Sequence, residues 1–91
     1  MAATQPQVTI YTRALCGYCS AARELLDSKG VAYQEMDTTL NSKLRAEMET
    51  RSGRQTVPQI FIGDQHIGGY DDMAALDAAG DLDALLSGTS D

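Results

Sequence analysis

Val8-Thr9-Ile10-Tyr11-Thr12-Arg13-Ala14-Leu15-Cys16-Gly17-Tyr18-Cys19-Ser20-Ala21-Ala22-Arg23-Glu24-Leu25-Leu26 is the stretch on which the fold turns. Val8 to Thr12 is β-branched and apolar without helical spacing, which predicts a short buried strand. Arg13 to Gly17 reads as a loop. Ala21, Ala22, Leu25 and Leu26 then recur at helical spacing, predicting a helix from Tyr18 or Cys19 that Gly30 closes behind Lys29. Two cysteines three positions apart therefore stand where a strand becomes a helix.

Outward from there, Val31 to Met36 alternates well enough for a second strand. A strand–helix–strand unit implies two parallel strands with a right-handed crossover. Asp37 to Asn41 is a connection rich in capping residues. Ser42 to Arg51 suits a polar helix with Leu44 and Met48 on one face, ended by Gly53. Ile60 to Ile62 and Gln65 to Ile67, joined by Gly63-Asp64, read as a hairpin that Gly68-Gly69 breaks. Asp71 or Asp72 caps a helix through Asp77 that ends near Gly80, and Asp81 to Leu86 forms a last short helix. Residues 87–91 read as a frayed tail. The fold class is α/β: a four-stranded mixed sheet, βαβ then ββα, flanked by helices. One domain is expected over residues 1–91, with an ordered core of about 7–87 and no repeat or linker.

With 91 residues, no Trp and one Phe, the core is expected to rest on Val, Ile, Leu, Met and Ala, with the four tyrosines at its edges. All seven basic residues lie in residues 1–54 beside six acids, whereas residues 55–91 hold seven acids and no Lys or Arg. Nucleic-acid binding needs a clustered basic face, so that class is excluded, and the acidic half reads as a solubility feature. Residues 1–7 have neither the basic nor the apolar region of a signal peptide. No apolar run approaches the roughly 18 residues of a membrane span. The expectation is a cytoplasmic monomer without membrane or nucleic-acid partners.

In a reducing compartment a cysteine pair usually means redox chemistry or metal. A zinc site needs four ligands, and beyond the two cysteines the chain offers only His66, far away in sequence. A structural disulfide and two inert core thiols are the other competing readings. Position favours redox chemistry. A helix N-terminus presents unpaired N–H groups and a partial positive charge, and a sulfur just ahead of the first turn is favoured there as thiolate. Cys16 is so placed, with Arg13 three residues before it adding positive charge. Cys19 falls one turn inside, less exposed but close enough to form a disulfide, so Cys16 reads as nucleophile and Cys19 as resolving thiol. C-x-x-C behind a βαβ start is a thioredoxin-like signal.

Three further segments narrow this. Tyr11 to Cys19 resembles the active-site strand and loop of glutaredoxins, Thr56-Val57-Pro58 their T-V-P motif, and Gly68-Gly69-Tyr70-Asp71-Asp72 their G-G-x-x-D motif. With Val57 to Gly63 included, the likeness spans roughly residues 7–87 and is to the small dithiol glutaredoxins of bacteria.

The resemblance implies a thioredoxin fold and an enzyme that uses glutathione as co-substrate. Its partners would be disulfide-bonded or glutathionylated proteins and, indirectly, glutathione reductase. It implies a cis bond at Pro58 and a Val57 backbone that pairs with the cysteinyl part of glutathione, next to Thr56. Gly69, Tyr70, Asp71 and Asp72 would receive the γ-glutamyl end, with Asp72 on its ammonium. Arg13 and Arg45 would face the glycyl carboxylate, and Tyr18 would flank the groove. Arg51 and Arg54 are left as surface charges, and His66 as a hairpin surface residue. One departure stands out: position 17 is Gly where the family commonly has Pro. Members with Gly there include some that hold a [2Fe–2S] cluster between two subunits, in which Cys16 would be the metal ligand and glutathione would complete the set.

Overall fold

The computed structural model describes residues 5–88. The elements follow as β1 (Val8–Thr12), α1 (Gly17–Ser28), β2 (Gln34–Asp37), α2 (Ser42–Ser52), β3 (Gln59–Ile62), β4 (Gln65–Gly68), α3 (Tyr70–Ala78) and α4 (Leu82–Ser87). The sheet order is β2-β1-β3-β4. β1 runs parallel to β2 and antiparallel to β3, and β3 and β4 form the hairpin. This is the mixed four-stranded sheet that the sequence predicts.

Both central strands are buried along their whole length, because helices cover both faces of the sheet. Side chains alternate between the faces with the period of two that a pleat imposes. Val8, Ile10, Ile60 and Ile62 enter one core with Ala22, Leu26, Met73, Leu82 and Leu86. Tyr11 and Phe61 point the other way and meet Met48 of α2. Tyr11 is thus a fully buried core residue rather than an edge one. Its hydroxyl is satisfied there by Glu47 and by Arg51, 2.9 Å away.

Several boundaries move. β2 begins three residues later than alternation predicts, at the point where Gln34 comes into register with Thr9. Val31 and Tyr33 lie ahead of the strand and pack on the core from there. α2 starts as predicted, its first turn capped by Asn41 Oδ1 on the Leu44 N–H at 3.1 Å, and Gly53 ends it in the left-handed conformation. α3 begins at Tyr70 behind Gly69, so neither Asp71 nor Asp72 is its cap. Ser87 belongs to α4 rather than to a tail, and Thr89 to Asp91 lie outside the described residues. Among the described residues no helix is long and apolar enough to cross a membrane.

The sheet also assembles the site. Antiparallel pairing of Tyr11 with Gln59 sets the start of β3, and with it Val57-Pro58, beside the end of β1 and the loop to α1. Pairing of Ile60 with Gly68 at an irregularity in the ladder brings the start of α3 to the same edge.

Candidate active site

Cys16 is the N-cap of α1. Its backbone is extended (φ −116°, ψ 111°), and its sulfur accepts the Cys19 backbone N–H at 3.3 Å. Ser, Thr or Asp oxygens ordinarily fill this role, satisfying an orphan donor of the first turn. Cys16 remains partly accessible, whereas Cys19 is wholly buried, and both are free thiols. Burial and the hydrogen bond with Cys16 push the Cys19 thiol up to about 12. One sulfur of the pair is open to a partner and the other is withheld.

The Cys16 thiol lies 3.9 Å from the Val57 carbonyl oxygen, and the Val57–Pro58 peptide bond is cis. Val57 lines two hollows at once. One, of about 250 Å³, is walled by Tyr18, Thr56, Pro58, Gly69, Tyr70, Asp71 and Asp72, with Arg54 at its rim. The other, of about 260 Å³, holds Arg13, Arg45 and Gln55 together with the 38–40 loop. The first is acidic and sits at the N-terminus of α3; the second carries two guanidinium groups. A third, larger hollow of about 620 Å³ lies along Cys16, Leu15, Arg13, Arg23 and Glu35.

Within the acidic hollow Asp72 turns its carboxylate back to the Gly69 N–H at 2.9 Å. That bond and Arg54, 3.1 Å away, hold the carboxyl below its ordinary range. The turn requires glycine before it: Gly68 has φ +118°, and a Cβ there would meet Asp72 Oδ2 at 2.2 Å. Tyr18 and Tyr70 stack at 6.2 Å and form the apolar wall.

Ten of the twelve residues singled out in the sequence line these two hollows; Cys16 lines the third and reaches the other two through its contact with the Val57 carbonyl, and Cys19 is buried. Arg45 lines the basic hollow while paired with Glu49 at 3.1 Å. Two readings change. Arg54 is part of the site, joined to Asp72 across 18 residues of sequence. Arg51 stays an exposed charge, as read, with its guanidinium 4.1 Å over the Phe61 ring. His66 is the second, half-buried rather than a free surface residue: its Nε2 lies 2.7 Å from Gln59 Oε1, and Gln59 donates to the Thr56 carbonyl at 2.9 Å. That partly buried chain holds the loop ahead of Val57, and no local periodicity announced it. Among the described residues no group of three or more His, Cys, Asp and Glu is placed to hold a metal ion.

Comparison with known proteins agrees with this geometry. Residues 8–67 match the family model described as Glutaredoxin. Glutaredoxin 3 of Escherichia coli (strain K12) is 60% identical over 79 residues, covering 87% of this chain and 95% of that protein. The solution structure of glutaredoxin from Brucella melitensis superposes with a TM-score of 0.82 at 50% identity, covering 94% of each chain. The crystal structure of a buckwheat glutaredoxin–glutathione complex gives a TM-score of 0.82 at 30% identity, covering 93% of this chain and 79% of that one.

Proposed function

This chain belongs to the glutaredoxin family of thiol–disulfide oxidoreductases, and we propose that it reduces protein–glutathione mixed disulfides and protein disulfides with Cys16 as nucleophile and Cys19 as resolving thiol. The observation that carries the reading is the Cys16 sulfur 3.9 Å from the carbonyl of Val57, the residue that an acidic and a basic hollow share. Glutathione has its ammonium at the γ-glutamyl end, its carboxylate at the glycyl end and its sulfur between them. Asp72 suits the ammonium, the α3 N-terminus suits the γ-glutamyl carboxylate, and Arg13 with Arg45 suits the glycyl carboxylate. The Val57 backbone then pairs with the cysteinyl residue in strand fashion.

In the monothiol route the Cys16 thiolate attacks the glutathionyl sulfur of a protein–glutathione disulfide. The new S–S bond joins Cys16 to glutathione, and the protein leaves as thiolate and takes a proton. A second glutathione thiolate attacks the glutathionyl sulfur on Cys16, releasing glutathione disulfide and the Cys16 thiolate. In the dithiol route a substrate protein is bound to Cys16, and Cys19 attacks Cys16 Sγ. Cys19 gives up its proton to the departing thiolate, and the Cys16–Cys19 disulfide is reduced by two glutathiones. With Cys16 in a mixed disulfide, its hydrogen bond and charge no longer raise Cys19; burial still does, opposed by the backbone hydrogen bond at Arg13 and the Arg23 charge.

For a [2Fe–2S] cluster this chain would supply Cys16, and the remaining thiolates would come from a second copy and glutathione. The space that a side chain at Gly17 would occupy is open, leaving room for such a partner. Anaerobic purification with glutathione, followed by the visible spectrum and the mass in solution, tests this reading. A colourless monomer overturns it.

The oxidoreductase reading is tested with a glutathionylated peptide in an assay coupled to glutathione reductase. Cys16→Ser is expected to abolish turnover, while Cys19→Ser keeps deglutathionylation and loses reduction of protein disulfides. Turnover by Cys16→Ser would overturn the assignment.

A further inference from the structure

Among the described residues only two non-glycine residues have positive φ, Leu15 at 59° and Leu40 at 54°. The same two are fully exposed, at 106% and 103% of reference. Both features oppose stability. A side chain in the left-handed region crowds the backbone, and an exposed leucine forgoes apolar burial. Asparagine or glycine would suit either position better, and no packing contact in the core explains a leucine at either one.

The two positions are neighbours in space. The Ala14 N–H donates to Thr39 Oγ1 at 2.7 Å, and Thr38 donates to the Thr12 carbonyl through both its N–H and its hydroxyl, each at 2.8 Å. Each leucine thus stands one residue beyond the same hydrogen-bonded pair. Leu15 precedes Cys16 and lines the large hollow beside it, and Leu40 lines the hollow that contains Arg13.

We propose that Leu15 and Leu40 form an apolar rim on which the polypeptide of a protein substrate docks, selecting substrates with an apolar residue beside the disulfide cysteine. The inference rests on Cys16 as nucleophile. In the dithiol route the protein's own sulfur comes to about 2 Å from Cys16 Sγ, and in deglutathionylation it lies one S–S bond further out, beyond the glutathionyl sulfur, so in both the chain bearing it lies across the residues next to Cys16. Glutathione takes the side of Val57, Tyr70 and Asp72 and, at its glycyl end, the Arg13–Arg45 hollow that Leu40 edges, so the polypeptide is left the outward faces of the two exposed leucines. Strain and exposure kept at a binding surface are the trade of stability for function.

The test uses the full chain and the double variant Leu15→Asn/Leu40→Gly, whose residues fit a left-handed backbone. Deglutathionylation is measured on two peptides that differ only in having Leu or Ser beside the modified cysteine, and on β-hydroxyethyl disulfide. The unmodified chain is expected to prefer the Leu peptide by about fivefold in kcat/KM, the share of a leucine's burial that a shallow rim recovers. The double variant is expected to lose that preference and to melt at the same temperature or higher, while kcat/KM on the small disulfide, which also reports any change in the Arg13–Arg45 hollow that Leu40 lines, falls less than on the Leu peptide. Equal use of both peptides by the unmodified chain overturns the proposal, as does a preference that survives in the double variant. An equal loss on the small disulfide also overturns it, since the leucines would then be shaping the Cys16 loop. Concentration-dependent dimerisation that the double variant abolishes, with peptide preference unchanged, gives the rim to a second copy instead. If the unmodified chain turns over none of the three substrates, the nucleophile reading itself fails.

Discussion

Asp72 folds its carboxylate over Gly68 so closely that a Cβ on Gly68 would lie 2.2 Å from Asp72 Oδ2. The glycine at φ +118° and the aspartate are therefore one unit: the backbone reversal at position 68 leaves the space in which the carboxylate reaches the Gly69 N–H.

Gly68→Ala is accordingly expected to lower stability by about 1–3 kcal/mol, through both the left-handed backbone and the displaced carboxylate. It is also expected to raise KM for glutathione. Gly69→Ala meets only the Pro58 carbonyl oxygen at 3.5 Å, an ordinary contact, and serves as the mild control. Urea midpoints and the coupled assay measure both effects; equal stability of the two variants would contradict the argument.

Asp72 is expected to act mainly through ligand affinity. Asp72→Asn removes the charge that faces an ammonium and is expected to raise KM for glutathione about tenfold, the effect of one charge-assisted bond, with a smaller change in kcat. Arg54→Gln frees the carboxylate from a competing cation and is expected to lower KM or leave it unchanged. The Asp72 carboxyl is held below 3.8, so its contribution to stability is fully present above that value and is lost only as pH falls through the lowered one. A shift of the Asp72 carboxyl toward its ordinary value in Arg54→Gln, followed by NMR titration, checks the cause.

Alkylation should separate the two thiols. With Cys19 buried and pushed up to about 12, iodoacetamide near pH 8 is expected to modify Cys16 first and leave Cys19 intact in the folded protein. Peptide mass spectrometry reads the order, and equal labelling of both cysteines would contradict it.

His66 is held below its ordinary 6.5, first by burial and then by the Arg54 charge. A lowered histidine costs stability as pH falls through 6.5, because the unfolded chain takes up the proton before the folded one does. The melting temperature is expected to drop between pH 7.5 and 5.5 in the unmodified protein, and His66→Gln is expected to remove part of that drop. His66→Ala leaves the Gln59 carbonyl oxygen without its partner and is expected to lower stability by about 1–3 kcal/mol at any pH.

The cysteine at the strand-to-helix junction was legible because a helix start is a local event: the residues that cap it are neighbours in sequence. The unbroken β-branched and apolar runs of Val8 to Thr12 and Ile60 to Ile62 predicted strands by themselves, and both prove buried along their length, since a pleat covered on both faces needs apolar side chains on each. The T-V-P and G-G-x-x-D segments named the neighbourhood in the same way. Tertiary structure alone decided what Asp72, Gln59 and Leu40 touch. Cys16 meets Val57 across 41 residues and Arg54 meets Asp72 across 18, distances closed only by the register of β1 on β3 and of β3 on β4. Which of Cys16 and Cys19 is the more accessible was already legible from their places at the helix start. How completely Cys19 is buried depends on the core that packs beneath α1, and long-range packing leaves no local period in the chain.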